Sequence, residues 1–337
     1  MKMHQIRIMA LVLSSVLMTG CANRTAIQEQ LIFPPDGNQP FLILEQTLGG
    51  QNTGPATNKG IKALLFGKQK TEDAILRPVA LVEDMEGSIY IVDADAAKVF
   101  VYAVTETGYT QVTTFGSDEL VAPSGIAIWN DEILVADAGS ETICRFDDSY
   151  NFIDTLAVKE LGRPGQIKVN PHTNDLFIVD TPNHYVLSIN TEGVVTGHLR
   201  HKQTGDQLLG SPMAVDFTAD GHIVVLDGLS RRVEIFRSDY NYQQGFGGYD
   251  RVPGSFSSPK GLAIASDGVV FISDAAFGNV QLFDLNGALL YFFGEIGKEA
   301  GEFLLPGSLI LTSDDKLFVM DQFNSRIQIF QYLAQGG

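Results

Sequence analysis

The 337-residue chain is predicted to be all-β: a six-bladed β-propeller whose blades are four-stranded and antiparallel. Three observations predict it. An aspartate closing a short apolar run recurs at near-regular intervals, at Asp93, Asp137, Asp180, Asp227, Asp274 and Asp321. A proline stands before each aspartate at a nearly fixed offset, at Pro78, Pro123, Pro164, Pro212, Pro259 and Pro306. The segment from Pro306 to Phe330 shows the unit most clearly. Its apolar runs Leu309 to Leu311, Leu317 to Met320 and Ile327 to Phe330 are separated by Asp314-Asp315-Lys316 and by Asp321 to Ser325. Short Val-, Ile- and Phe-rich runs broken by Asp, Asn and Ser are strands joined by tight turns. A period of roughly 40–50 residues with four strands per unit is the mark of propeller blades.

Residues 1–20 come first. Lys2, His4 and Arg7 precede an apolar core from Ile8 to Leu17, which is followed by small residues and Cys21. A charged start, an apolar stretch too short to span a bilayer and a small-residue exit describe an export signal. The run Leu17-Met18-Thr19-Gly20-Cys21 resembles a bacterial lipobox, with its leucine one place earlier than usual. That resemblance implies a chain lipidated at Cys21 and held at a membrane through its N-terminus, since two or more acyl chains make a stable anchor. Ala22 follows the cysteine, where Asp would imply retention at an inner membrane. The resemblance therefore implies the outer membrane, facing the periplasm.

The rest of the chain has no uninterrupted apolar run long enough to span a bilayer. Its formal net charge of −17 would deepen to −19 on loss of the leader, which carries Lys2 and Arg7 and no acid. So acidic a surface repels phosphate backbones and argues against nucleic acid. Cys144 is the only cysteine besides Cys21, so no intramolecular disulfide is expected. It lies in the strand pattern Thr142-Ile143-Cys144-Arg145-Phe146 and reads as a small core residue.

Residues 21–40, with Pro34-Pro35-Asp36-Gly37 and Pro40, read as a tether. The single propeller domain spans residues 41–333. Phe41 to Leu48 reads as a strand without a sequential partner, while the last repeat ends at Leu333 with three strands and no fourth. The first strand is therefore predicted to complete the last blade, closing the ring by joining the two ends of the chain. Residues 49–77 form an insertion in which Ile61, Leu64 and Leu65 share one face of a short predicted helix. Long insertions between strands often dock partners.

Pro259-Lys260-Gly261-Leu262-Ala263-Ile264, Asp267-Gly268, Val270 to Asp274 and Asn279 to Phe283 together resemble an NHL repeat, as does Asn324 to Phe330. The resemblance covers Pro78 to Phe330. With the lipobox, tether and insertion, the chain is similar to bacterial six-bladed NHL-propeller lipoproteins. The six aspartates are expected to accept turn amides, with Lys98, Arg232 and Arg326 placed just after three of them to pair with them. Gly87, Gly221 and Gly268 are expected at positive φ.

A site is expected at the mouth of the central channel. Six-bladed relatives that are metal-dependent lyases or lactonases place ligands there, just after the blade-opening proline in the lyase type. The corresponding residues here are Val79, Ser124, Gly165, Met213, Lys260 and Gly307, from which no metal cage can be built. No cofactor is expected. Among the histidines, His198 and His201 sit in a basic run, and His184 follows Asn183 at a predicted mouth turn, where it is the histidine to test as a ligand group. No nucleophile elbow, phosphate loop or zinc motif is present.

Two functions follow. One is a noncatalytic scaffold that presents a propeller face to a protein partner or envelope complex, with binding residues at the blade turns and mouth: His184, Arg231, Lys260, Phe277, Phe323 and Asn324, with Tyr249 nearby. Exposed aromatic residues and Arg are the types that anchor interfaces. The other is a divergent hydrolase or lyase with a channel-mouth site.

Overall fold

The computed structural model describes residues 31–34, 41–50, 74–156, 158, 160–199, 209–249 and 254–334. Cys21, the leader, the inserted helix, His201 and residues 21–30 and 35–40 of the tether lie outside them. Six antiparallel sheets follow one another along the chain. Each begins with an inner strand opening on one of the six prolines, and each second strand ends on the matching aspartate: Pro78–Glu83 with Ile89–Asp93 in blade 1, through Pro306–Leu311 with Lys316–Asp321 in blade 6. Proline and aspartate face each other as register partners in all six blades. Proline suits the first position of a strand, where no ladder amide is required of it.

The ring closes as the strand count predicts. Leu42–Gly49 pairs with Arg326–Tyr332 antiparallel, from Leu42 opposite Tyr332 to Gly49 opposite Arg326, and so becomes the fourth strand of blade 6. Part of the expected tether adds a further edge. Ile32–Phe33 pairs with this closing strand, and the Phe33 ring packs 5.2 Å from that of Phe293.

The apolar core lies between blades, since each twisted sheet is covered on both faces by its neighbours. Six buried clusters correspond to the six junctions. Five junctions carry an aromatic pair: Phe115–Phe146, Phe177–Phe217, Phe246–Phe283, Phe271–Tyr332 and Tyr109–Phe318. The junction of blades 2 and 3 has Trp129 instead, whose indole N–H donates to the Asn174 carbonyl at 2.8 Å. Cys144 is buried in the cluster between blades 1 and 2, as expected of a core residue.

Candidate docking face and central channel

Because each inner strand starts and each second strand ends at the same level, the turn after the aspartate and the loop before the proline share one face of the ring. The aspartates build that face. Asp137 accepts the amides of Val121 and Ala122 from the incoming loop and those of Gly139 and Ser140 from its own turn. Asp93, Asp227 and Asp274 repeat the pattern, and all six carboxylates are buried. Such a carboxylate ties loop to turn through charge-assisted bonds. The expected turn amides are thus half of what each of these four aspartates holds.

The fourth residue of all six turns is left-handed: Ala97, Glu141, His184, Arg231, Gly278 and Ser325 have φ between 49° and 63°. The expected glycines Gly87, Gly221 and Gly268 have φ of 81°, 87° and 86° on the opposite face. Of the three expected cation pairs, Arg326 meets Asp321 at 2.7 Å. Arg232 bonds Glu234 at 3.1 Å and the Gly247 carbonyl instead, because the buried Glu234 carboxylate lies on its own strand two positions on. Lys98 lies 5.8 Å from the Phe100 ring centroid.

His184, Arg231, Phe277, Phe323 and Asn324 all occupy these turns, and so share the face. Phe277 and Phe323 are 45% and 64% exposed. The Arg231 guanidinium stacks 4.3 Å from the Tyr249 ring centroid, a cation–π contact that holds both side chains in place. His184 Nδ1 lies 2.6 Å from the Gly210 carbonyl and donates to it, which fixes the ring in its turn. Asn324 donates its amide to Asp321 and to the Gly297 carbonyl, which ties it into the framework. Lys260 is half-buried at the second position of its inner strand, nearer the axis.

Sequence reasoning missed four apolar residues on this face: Leu76, Val121, Leu229 and Ile296 are all largely exposed. The repeat carried a signal for three of them. Leu229 occupies the second turn position, like Phe323, and Val121 stands two places before its blade proline, like Leu76. Aligning turns and incoming loops, not only strands, would have found all three.

Inside the ring, inner strands are stitched by side chains across junctions. Ser124 Oγ donates to the Pro164 carbonyl, the Val215 amide donates to Gln166 Oε1, the Ile264 amide to Asp216, and Ser273 Oγ to the Gly307 carbonyl. On the axis, the inner strands of blades 1, 2, 3 and 6 line a partly open cavity of about 160 Å³. Lys168, one of its lining residues, pairs with Asp216 at 2.5 Å. Among the described residues, no group of three His, Cys, Asp or Glu side chains converges as a metal site would require. No helix among them is long and apolar enough to cross a membrane.

Comparison with protein-family models finds no match, and comparison with curated proteins finds none. Among solved structures, the chain is similar to a gluconolactonase from Xanthomonas campestris, at TM-score 0.60 and 15% identity over 86% of this chain and 98% of that one. It is similar to virginiamycin B lyase from Staphylococcus aureus at 0.56 and 11%, over 87% and 99%. A protein of unknown function from Bacteroides thetaiotaomicron gives 0.59 and 14%, over 78% and 71%. At such identity these likenesses establish the β-propeller fold of the chain.

Proposed function

We propose that the chain is a noncatalytic binding scaffold of NHL type, held at the outer membrane through a lipid on Cys21 and presenting its aspartate-built face to a protein partner in the periplasm. The observation that carries this reading is the set of exposed apolar side chains on that face, with Leu229, Tyr249 and Phe323 each 64–71% exposed. Monomeric proteins seldom gather large apolar side chains on one exposed face without a use for them. The Arg231–Tyr249 stack adds the residue types that dominate interface energetics, already ordered before binding. The turns that display them are clamped by buried carboxylates, so the surface is rigid and little ordering entropy opposes association.

A hydrolase or lyase is the second reading, favoured by the names of two structural neighbours, a gluconolactonase and a lyase. The residues after the blade prolines do not supply the ligand set that such chemistry uses in six-bladed relatives, which is why the scaffold is preferred.

Crosslinking in intact cells, followed by affinity recovery and mass spectrometry, tests the proposal. The native protein should enrich one dominant partner over a lipid-anchored control. A Leu229→Ser, Phe277→Ala, Phe323→Ala variant should keep its thermal midpoint and lose that partner at least tenfold. No enrichment, or recovery unchanged in the variant, would sink the reading.

A further inference from the structure

We infer that the axial cavity is a binding site for a small organic anion with an apolar body, of about the size of benzoate, whose carboxylate is held by Lys168. The cavity is lined by inner strands of blades 3 and 6, which lie across the ring from each other, so it sits on the axis. Its volume of about 160 Å³ is that of a space which admits one aromatic ring, since an apolar cavity of about 150 Å³ binds benzene. Ala80, Val82, Ile126 and Ile310 supply an aliphatic wall.

The polar part of the lining is Gln166, Lys168 and Ser308, and it offers donors. Gln166 Oε1 already accepts the Val215 amide at 2.7 Å, which orients the side chain and leaves its NH₂ to give. The Lys168 ammonium spends one of its three N–H bonds on Asp216 Oδ1. Asp216 in turn accepts the amides of Phe217 at 2.8 Å and Ile264 at 3.1 Å, and it does not line the cavity. Backbone donors therefore share the charge of Asp216, so the remaining N–H groups of Lys168 can serve a ligand. Among the described residues, the Gln166 NH₂ and the Ser308 hydroxyl have no hydrogen-bond partner. An aliphatic wall facing an ammonium, an amide NH₂ and a hydroxyl selects a ligand with an apolar body and an anionic acceptor at one end. This site does not rest on the docking face described above.

Isothermal titration of the full-length protein with sodium benzoate, and separately with benzyl alcohol, tests the inference. Benzoate should bind saturably at one site and at least tenfold more tightly than the neutral alcohol. Lys168→Met should weaken benzoate at least tenfold and leave benzyl alcohol within twofold. Val82→Phe, which leaves the Lys168–Asp216 pair in place, should abolish binding of both. Absence of saturable benzoate binding to the native protein, equal affinity for the two probes, or full benzoate binding by a folded Val82→Phe variant would overturn it.

Discussion

At the scale of single residues, the molecule uses acids as framework as well as surface. Asp147 and Asp239, on the face opposite the apolar one, have carboxyls held below the usual range, first of all by the side-chain amides of Asn151 and Asn241. They form their own turns. Asp321 goes the other way: burial raises its pKa against the opposing pull of Asn324, Leu304 and Arg326. Cys144 gives the clearest pH dependence. Burial, its largest influence, lifts the thiol above the ordinary value of 9.0. The folded state then keeps a proton that the unfolded chain gives up, so this contribution to stability is complete below pH 9 and fades as pH rises above it. Unfolding free energy should decline above pH 9 more steeply in the native chain than in a Cys144→Ala variant. Alkylation of the peptide carrying Cys144 should track global unfolding. Rapid alkylation of the folded protein at pH 9 would contradict both expectations.

At the scale of elements, the third strand of blade 6 acts as a clamp. Arg326 donates Nε to Asp321 and its terminal nitrogens to the carbonyls of Lys298, Glu299 and Glu302, all at 2.7–2.9 Å. Gln328, two positions on and on the same strand face, accepts the Gly301 amide and donates to the Glu302 carbonyl. Two side chains thus secure the loop that carries Ile296 to the blade beneath it. Arg326→Ala would strand the buried Asp321 charge and release three carbonyls, which costs about 3–5 kcal/mol for a broken buried pair. Arg326→Lys should recover only part of this, because an ammonium cannot reproduce the planar fork. Chemical denaturation measures both, and a loss below about 1 kcal/mol in the alanine variant, the net worth of a typical single hydrogen bond, would refute the clamp. The repeat made this strand legible, with its arginine shortly past the aspartate. It could not disclose the loop carbonyls, because nothing periodic in the chain encodes a contact made by one blade alone.

At the scale of the whole molecule, closure by the first strand couples the chain's two ends. Leu42 is fully buried in the cluster between blades 5 and 6. Trp129, the only tryptophan, is in blade 2, far around the ring. Leu42→Ala should cost about 2–5 kcal/mol, as large-to-small changes in a packed core do. If the ring unfolds as one unit, Trp129 fluorescence and far-UV circular dichroism should shift together to lower denaturant. A Trp129 transition left in place while the dichroism moved would mean that blades unfold independently. The two faces also differ at this scale. One carries exposed Leu229, Phe323 and Ile296, and the other carries the turn carboxylates Asp84, Asp147, Asp239 and Asp284 beside exposed Met85 and Val194.

The repeat by itself determined the number of blades, the proline that opens each, the aspartate turns and the strand that closes the ring. Those features recur with the chain's own period, and each is set by local chemistry: a proline at a strand start, a carboxylate at a turn, an unpaired strand at each end. Tertiary structure decided which residues share a face and what the axis holds. Leu76, Leu229 and Ile296 come from three different segments and share a face only because the ring brings their loops to one level. Likewise, the Lys168–Asp216 pair joins the inner strands of blades 3 and 4 across their junction. Local preference reaches only a short way along the chain, whereas a docking face or a cavity depends on side chains whose proximity only the closed ring creates.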